Sequence, residues 1–213
     1  MNIVCFGDSL TTGFQAPTIE VPYYQETPYG AFLQKWFGPR GTVIVRGVNG
    51  ELTRDMVQRF ARDVPTGSSH SVVILGGTND LSAQVPTTRI IKNLARLYED
   101  AQAAQIHPVA VTIPSLRIVD GLEGAEFLRE HIARRLELNQ LIMSHCRMAE
   151  IPCIDLFSET RDETSSQLAT VYSNDGLHLS TDGYELLAQL LWDQVWANDF
   201  GARPRSNDEE RCQ

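Results

Sequence analysis

Short runs of apolar residues alternate with longer segments of helical periodicity along this chain. The short runs are rich in valine and isoleucine and are continuous rather than alternating, which is typical of strands covered on both faces. They lie at residues 3–6, 43–45, 72–75, 109–113 and 153–156. Apolar residues recur at helical spacing at residues 28–37, 52–64, 87–104, 125–149 and 181–196. Ser180 precedes the last of these segments and is a candidate N-cap, because its hydroxyl can accept a hydrogen bond from a free backbone N–H.

This alternation predicts an α/β fold with a mostly parallel sheet and helices on both of its faces. No linker or internal repeat divides the sequence, so we predict a single domain over residues 1–202. A polar tail at residues 203–213 is expected to be disordered. Ligands of open parallel sheets bind beyond the carboxyl ends of the strands. Functional side chains are therefore expected in the segments that directly follow the predicted strands.

Composition and charge narrow the range of partners. The 213 residues include 18 basic and 27 acidic side chains, and the net charge of −9 disfavours binding to nucleic acid or to anionic membranes. The N-terminus lacks the basic region and long apolar stretch of a signal peptide, and no segment reaches the ~20 apolar residues of a membrane span. Cysteines 5, 146, 153 and 212 have no metal-ligand spacing and are predicted to be free thiols. These features favour a cytoplasmic protein.

A serine and a histidine stand where nucleophilic chemistry would need them. Ser9 follows the first predicted strand at a turn into a helix, and its hydroxyl needs a nearby base to act as a nucleophile. His178 is the candidate base, and Asp175, three residues before it, could accept a hydrogen bond from one ring nitrogen. Taken singly, a helix-capping serine and an ordinary surface turn remain alternatives for these two segments.

Two further residues could stabilise an oxyanion beside Ser9. Gly50 follows the second predicted strand and can offer a backbone N–H with no side chain in the way. Asn79 follows the third predicted strand and can offer side-chain N–H groups. The N–H of Ser9 itself is a third candidate donor, because it lies at the start of a helix.

Four short motifs resemble the signature blocks of the SGNH or GDSL hydrolase superfamily. They are GDSL at residues 7–10, the glycine of VNGELT at Gly50, GGTND at residues 76–80 and DGLHLS at residues 175–180. They occur in the order of the family and reach from the first predicted strand to the last predicted helix. The resemblance implies a flavodoxin-like three-layer αβα sandwich with a central five-stranded parallel sheet. It also implies hydrolysis without a metal or other cofactor.

The resemblance also implies a role for each matching residue. Ser9 matches the nucleophile, which is acylated and then released by water, and Asp175 and His178 match the acid and the base. Ser9, Gly50 and Asn79 match the donors of the oxyanion hole. Asp8 and Asp80 match supporting positions that are expected to order loops.

The expected substrate is a small-molecule carboxylic ester with a small or medium acyl group. Residues that flank the motifs are expected to line the site, namely Leu10, Thr11, Leu81 and Leu177. Aromatic residues in the loop at 15–29 and a second loop at 116–126 could cover it. The motifs do not choose among carboxylester hydrolase, lysophospholipase, thioesterase and carbohydrate deacetylase activities. A binding module without activity is a further alternative, as is phosphoryl transfer on Asp8, which lacks the second nearby acid that such chemistry needs.

Overall fold

The computed structural model describes residues 1–118 and 125–203, and its centre is a five-stranded parallel sheet. The strands, numbered in chain order with two strands of a separate ribbon given below, are β1 (Asn2–Gly7), β4 (Thr42–Gly47), β5 (Ser71–Leu75), β6 (His107–Val111) and β7 (Cys153–Ile154). Their order across the sheet is β4-β1-β5-β6-β7, and every neighbouring pair is parallel. This is the flavodoxin-like order, in which the chain passes from β1 to β4 on one side and then returns past β1 to β5 on the other.

Helices flank the sheet in two groups. The helices are α1 (Ser9–Thr12), α2 (Tyr29–Phe37), α3 (Thr53–Asp63), α4 (Thr78–Ser82), α5 (Thr87–Ala103), α6 (Ala125–Met148), α7 (Leu156–Thr160), α8 (Thr181–Leu191) and α9 (Ala197–Phe200). Helix α2 packs against α8, whereas α5 packs between α3 and α6. The predicted three-layer αβα architecture is therefore confirmed. Among the described residues, no helix combines the length and the apolar character that crossing a bilayer requires.

The sheet is most deeply buried along β1 and β5. Residues 3–7 of β1 and all of β5 are buried, as their continuous apolar sequences predict. The same expectation is wrong for β4, whose residues are exposed or half-buried. The reason is its place at the edge of the sheet, which no local sequence pattern reveals.

The strand predicted at residues 109–113 lies two residues earlier, because the Asn139 side chain binds the backbone at its expected end. The side-chain amide of Asn139 accepts from the N–H of Ile113 and donates to the carbonyl of the same residue, each at 2.9 Å. Ile113 remains fully buried but pairs with this amide instead of with a strand. Apolar sequence therefore continues past the point where the sheet ends at Val111.

One other predicted boundary is also wrong, and one predicted helix has the predicted bounds but changes type near its end. The strand at residues 153–156 ends at Ile154, because Asp155 caps α7 by accepting from the N–H of Ser158 at 3.2 Å. The helix at residues 181–196 begins as predicted, with the Ser180 hydroxyl accepting from the N–H of Gly183, but it becomes a π-helical turn at Trp192–Trp196. Both tryptophan rings contact Phe37, so the apolar spacing continues through the turn and does not reveal it.

The aromatic segment predicted as a loop at residues 15–29 contains a small antiparallel ribbon. Strands β2 (Phe14–Gln15) and β3 (Gln25–Glu26) pair with Phe14 opposite Glu26 and Gln15 opposite Gln25. Tyr29 is not part of a cover, because it begins α2 and is fully buried in the core. Of the second predicted cover, at 116–126, residues 119–124 lie outside the described residues, as does the predicted tail from residue 204 onward.

Gly13 fixes the point where the ribbon leaves α1. Its φ is +79°, and a Cβ at this position would lie 2.2 Å from the backbone nitrogen of Pro28. Its carbonyl accepts from the N–H of Thr27 at 2.8 Å. The backbone of the two segments therefore approaches too closely for any side chain at residue 13.

We expect Gly13→Ala to reduce the free energy of unfolding by more than about 3 kcal/mol, because the methyl group meets immovable backbone. Gly67→Ala is the matched control, since Gly67 has the same φ of +79° but open space around its Cβ position. The control should cost only the ~1–2 kcal/mol of a left-handed alanine. Urea unfolding of both variants measures the difference, and equal losses would show that the close approach at Gly13 is unimportant.

Candidate active site

Three loops meet at one edge of the sheet because the strands before them end in register. Gly7, the last residue of β1, lies opposite Gly47 of β4 and Leu75 of β5. The N–H of Val48 continues this pairing by donating to the carbonyl of Gly7 at 3.0 Å. The segments that begin at Asp8, Val48 and Gly76 therefore leave the sheet side by side. This is the switch point of the topology, where strands are added on one side of β1 by β4 and on the other side by β5.

Ser9 is held at the start of α1 by the residue before it. The Asp8 carboxylate caps this short helix by accepting from the N–H of Leu10 at 2.9 Å. The Ser9 residue is buried, and its carbonyl accepts from the hydroxyl of Thr12 at 2.9 Å. Because Ser9 is the first helical residue, its own N–H has no acceptor within the helix.

The imidazole of His178 links Ser9 to Asp175. Its Nε2 lies 3.2 Å from the Ser9 Oγ, and its Nδ1 lies 2.7 Å from the Asp175 Oδ2. The side chain of His178 is 17% exposed and that of Asp175 is 27% exposed, so solvent reaches both from one side. The hydroxyl, the imidazole and the carboxylate thus form one continuous hydrogen-bonded row across a sequence separation of 169 residues.

The loop that carries Asp175 and His178 is fixed by its own backbone and by Arg117. The second oxygen of Asp175, Oδ1, accepts from the N–H groups of Leu177 at 2.9 Å and His178 at 2.8 Å. Arg117 binds the loop twice, through its N–H to the Gly176 carbonyl and through its guanidinium to the Ser173 carbonyl. Gly176 has a φ of +81°, and a Cβ there would lie 2.1 Å from the Arg117 carbonyl, so this contact requires glycine.

These hydrogen bonds also determine the charge of Asp175. Burial alone would raise the pKa of its carboxyl group. The hydrogen bonds from the His178 ring and from the N–H groups of Leu177 and His178 outweigh burial, so the pKa is lowered. Asp175 therefore remains ionised at neutral pH and can hold a protonated imidazole beside it.

Backbone and side-chain donors surround the Ser9 turn. Gly50 is exposed with a φ of +75°, and among the described residues no protein group accepts its N–H. The side-chain nitrogen of Asn79 lies 3.1 Å from the Glu51 carbonyl and 3.4 Å from the Asp8 Oδ2. Asn79 therefore lies between the Ser9 turn and the Gly50 loop, where the residue pattern places it.

Arg59, on α3, joins the ends of two strands to the Gly50 loop. Its guanidinium donates to the carbonyl of Gly7 at 3.0 Å and to the carbonyl of Arg46 at 3.1 Å. It also binds both carboxylate oxygens of Glu51 and reaches Asp63 at 2.9 Å. Burial would lower the pKa of Arg59, but hydrogen bonds to Glu51 and Asp63 outweigh it and the pKa is raised. Arg59 therefore remains charged and holds the Gly50 loop against the strand that leads to Ser9.

Charged groups are also buried directly behind Ser9. Burial raises the pKa of Asp8 to about 7, against the N–H of Leu10 and the charge of His178, which lower it. Asp80 adds to the rise, and the guanidinium of Arg135 opposes it. Arg135 is itself fully buried, donates to the Pro114 carbonyl at 2.9 Å, and has its pKa lowered by burial to about 10.

Asp80 acts on a different helix from Asp8. Its two oxygens accept from the N–H of Thr53 at 2.9 Å and from the Thr53 hydroxyl at 2.7 Å. Thr53 is the first residue of α3, whose N-cap residue offers no side-chain acceptor. Both aspartates therefore hold the start of a helix beside the site, which fits the loop-ordering role expected from the motifs.

An aromatic contact completes the surroundings of His178. The Phe14 ring lies with its centroid 4.6 Å from that of the imidazole, and the Tyr24 ring stacks on Phe14 at 5.8 Å. The Phe14 carbonyl accepts from the hydroxyl of the buried Tyr184, on α8, at 2.8 Å. The ribbon is therefore attached to the helix that begins three residues after His178.

Several residues predicted to line the site have their side chains elsewhere. Leu10 and Leu81 belong to the main hydrophobic core and are almost fully buried, so we interpret them as core residues. Thr11 is also fully buried, and its hydroxyl has no hydrogen-bond partner among the described residues. Leu177 is half-buried beside His178 and is the member of this set that substrate could reach.

Sequence reasoning missed Arg59, Glu51, Phe14 and Arg135. Glu51 was visible within the second motif, and the arginines stand on amphipathic helices where a charged residue normally faces solvent. Phe14 lay one residue before the segment predicted as an aromatic loop. Only Glu51 therefore carried a local signal that could have assigned it to the site.

A separate cavity lies far from this site. It has a volume of about 670 Å³, opens at the opposite edge of the sheet beside Ser71, His107 and Trp196, and contains none of the motif residues. Its position at the amino ends of β5 and β6 separates it from the Ser9 turn. Within residues 1–118 and 125–203, no three histidine, cysteine or acidic side chains cluster so as to hold a metal ion.

Known proteins share both the sequence pattern and the fold. The sequence profile of the GDSL-like lipase/acylhydrolase family matches residues 5–186. A lipase/acylhydrolase from Enterococcus faecalis is 22% identical with a TM-score of 0.72, covering 91% of this chain and 94% of that one. A carbohydrate acetylesterase from Sinorhizobium meliloti is 18% identical with a TM-score of 0.72, covering 92% and 99%. No curated protein sequence matches the chain. At these identities, the solved structures show a shared fold.

The raised pKa of Asp8 predicts an unusual pH dependence of stability. Between about pH 4 and pH 7 the folded protein keeps a proton on Asp8 that the unfolded chain releases, so rising pH lowers the free energy of unfolding. This loss is at most ~1.4 kcal/mol per pH unit. Asp8→Asn keeps a capping oxygen but has no proton to lose. We expect the melting temperature of Asp8→Asn, relative to wild type, to be higher at pH 8 than at pH 5.

Asp162→Asn is the control for this measurement. Hydrogen bonds from Thr164 and Ser165 lower the pKa of Asp162 to about 2, so its stabilising effect is fully present at both pH values and is lost only in stronger acid. This variant should change the melting temperature equally at pH 5 and pH 8. An Asp8→Asn variant that behaves in the same way as the control would contradict the assignment of the raised pKa to Asp8.

Proposed function

Because the chain belongs to the GDSL-like lipase/acylhydrolase family, we propose that it hydrolyses carboxylic esters through a covalent acyl group on Ser9. The observation that carries the proposal is the row formed by the Ser9 hydroxyl, the His178 imidazole and the Asp175 carboxylate, with contacts of 3.2 and 2.7 Å. A hydroxyl needs such a base to become a nucleophile at neutral pH.

In the first half of the reaction, the Ser9 Oγ attacks the ester carbonyl while His178 Nε2 takes the hydroxyl proton. The Asp175 carboxylate accepts from Nδ1, which leaves Nε2 as the acceptor and stabilises the imidazolium that forms. When the tetrahedral intermediate collapses, His178 returns the proton to the departing alcohol oxygen. The carbonyl carbon then remains bonded to Ser9 as an acyl ester.

In the second half, water takes the place of the alcohol. His178 removes a proton from the water, whose oxygen attacks the acyl carbon. The second tetrahedral intermediate collapses to release the acid, and Nε2 returns the proton to the Ser9 Oγ. The same three side chains therefore serve both halves, and the net reaction consumes one water for each ester.

We assign the oxyanion donors to the N–H of Ser9, the N–H of Gly50 and the side-chain amide of Asn79. Two observations support this: the Gly50 N–H has no protein acceptor among the described residues, and Asn79 stands between the Ser9 turn and the Gly50 loop. Arg59 is then a positioning residue, because it binds Glu51, the neighbour of Gly50, and the carbonyl of Gly7 before the Ser9 turn. The Glu51 carbonyl in turn accepts from Asn79, so one guanidinium orders two of the donors.

Carbohydrate acetylesterase activity is the second candidate. It is favoured by the acetylesterase from Sinorhizobium meliloti, which shares the fold over almost the whole chain. Lysophospholipase and thioesterase activities on phosphate-bearing substrates have less support. Arg117, which binds the loop that carries His178, is half-buried and already donates to the Ser173 carbonyl.

Substitution of Ser9 tests the central proposal. Wild-type protein should hydrolyse at least one of the 4-nitrophenyl esters of acetate, butyrate and octanoate, and a fluorophosphonate probe should label it once. Ser9→Ala should lose labelling, and its kcat should fall by at least about 10³-fold, because the nucleophile is gone. Ser68→Ala, which changes an exposed hydroxyl, is the control and should behave as wild type. Labelling that persists in Ser9→Ala would rule out Ser9 as the nucleophile.

Substitution of Arg59 tests the positioning of the oxyanion donors. Lysine keeps the charge but cannot reach Gly7, Arg46, Glu51 and Asp63 together. We expect Arg59→Lys to lower kcat by roughly 10- to 100-fold with KM changed less than about threefold, because donor positions count most in the transition state.

Arg62→Lys provides the matched control, since Arg62 stands on the same helix and binds the same Asp63 but is 74% exposed. It should leave kcat within about twofold of wild type. In an Asn79→Ala background, Arg59→Lys should cost less than it does alone, because one of the donors that it orders is already missing. If Arg59→Lys lowered kcat and raised KM by similar factors, and if its effect were the same in the Asn79→Ala background, a general loss of structure would be indicated instead.

A further inference from the structure

Three aromatic rings form a row that leads from His178 to the protein surface. We call this row, made of His178, Phe14 and Tyr24, the aromatic ladder. The imidazole and Phe14 centroids are 4.6 Å apart, and Phe14 and Tyr24 are stacked at 5.8 Å with an angle of 13° between their planes. Exposure rises along the row, from 17% for the His178 side chain to 61% for Tyr24. The outer end therefore presents a broad aromatic surface to solvent.

The ladder is held rigidly at its inner end. The Phe14 carbonyl accepts from the Tyr184 hydroxyl at 2.8 Å, and the Gln15 side chain donates to Thr27 at 2.8 Å and to Thr181 at 3.0 Å. Thr181 and Tyr184 belong to α8, which begins just after His178. The ribbon and the imidazole are thus fixed to the same helix, so the ladder exists before any substrate binds and needs little ordering on binding.

The position of the ladder selects one part of an ester. In the proposed reaction, His178 Nε2 returns its proton to the alcohol oxygen and must come within ~2.6–3.2 Å of it. The alcohol portion therefore lies beside the imidazole, and Phe14 packs against that ring. From this arrangement, which rests on the proposed function, we propose that the ladder binds the alcohol portion of the substrate. We further propose that this alcohol is a ring with an apolar face, which lies along the ladder beside Phe14 and in contact with Tyr24.

Charge on the ribbon narrows the chemistry of that alcohol. Residues 11–34 contain no lysine or arginine, whereas two exposed acidic residues are present, Glu26 on β3 and Glu20 in the segment between the two ribbon strands. An alcohol that carries phosphate would meet like charge on this segment, which offers no cation of its own. A neutral ring fits, because the apolar faces of aryl and sugar rings pack well against the face of a tyrosine ring. The ladder thus favours neutral cyclic alcohols over phospholipid or nucleotide-bearing ones.

Tyr23 provides an internal comparison for Tyr24. It is 64% exposed, as open to solvent as its neighbour, but it stacks on no ring within the described part of the chain. Tyr24 stands two residues before Glu26, the cross-strand partner of Phe14, which places it on the same face of the ribbon as Phe14. The adjacent tyrosines therefore differ in their relation to His178 and hardly at all in exposure.

The test compares acetate esters that share the acyl group and differ in the alcohol. The esters are phenyl acetate, an acetylated xylopyranoside and butyl acetate, assayed with wild type, Tyr24→Ser and Tyr23→Ser. We expect Tyr24→Ser to lower kcat/KM by about 3- to 10-fold on the phenyl or the sugar ester and less than about twofold on butyl acetate. The ester on which the loss appears identifies the ring. Tyr23→Ser should equal wild type on all three.

A second series separates the alcohol side from the acyl side. On 4-nitrophenyl acetate, butyrate and octanoate, the loss caused by Tyr24→Ser should be the same for each acyl length, and the deacylation rate after a burst should not change. The proposal is overturned by equal losses on cyclic and linear alcohols, by a loss that grows with acyl length, or by an equal loss in Tyr23→Ser. Both tyrosines are exposed, so neither substitution should alter the melting temperature.

The same protein preparation separates failure of this inference from failure of the proposed function. If wild type is labelled at Ser9 by a fluorophosphonate and hydrolyses esters, but Tyr24→Ser has none of the expected selectivity, only the assignment of the ladder is wrong. If wild type is neither labelled nor active on any ester of the two series, the proposed function fails and the inference fails with it.

Discussion

The site depends on the register in which β1 lies between β4 and β5. Gly7 ends its strand opposite Gly47 and Leu75, so three loops leave the sheet at one edge. The register alone would leave those loops loosely related, because each contains flexible backbone. The guanidinium of Arg59 adds the missing constraint by binding the carbonyls of Gly7 and Arg46 and the carboxylate of Glu51. Arg59 thus helps to fix how the Ser9 turn and the Gly50 loop face each other, together with Asn79, which binds Asp8 and the Glu51 carbonyl.

Burial of charge behind Ser9 gives this arrangement its electrostatic character. Asp8 and Arg135 are both fully buried. Burial raises the pKa of Asp8 and lowers that of Arg135, so it favours the neutral form of each. Asp175 differs, because its hydrogen bonds outweigh burial and keep it ionised. The site therefore combines one firmly charged carboxylate at its solvent side with a carboxylate near its titration point on the inner side. The two side chains are chemically identical, so the opposite shifts of their pKa values come from their surroundings alone.

The ribbon of β2 and β3 adds an aromatic surface beside His178 to the α/β fold. Ser9, Gly50 and Asn79 follow β1, β4 and β5, and none of them belongs to the ribbon. Phe14 adds an aromatic wall to the imidazole, and Tyr184 on α8 fixes that wall in place. In the proposed mechanism, chemistry and selectivity belong to different parts of the chain: the motif loops supply the reacting groups, and the ribbon faces the alcohol that the reaction releases.

Periodicity and motifs were sufficient to predict the αβα layers, all five sheet strands to within a few residues, and the segments that carry Ser9, Asn79, Asp175 and His178. Both signals come from residues that are close together in the sequence, so they can be recognised without a structure. The folded structure was needed to reveal the two-residue strands of the ribbon, the burial of Leu10 and Leu81, and the contacts of Arg59 and Phe14. Each of these depends on atoms from segments far apart in the chain, and a contact of that kind leaves no periodic or local signal in either segment.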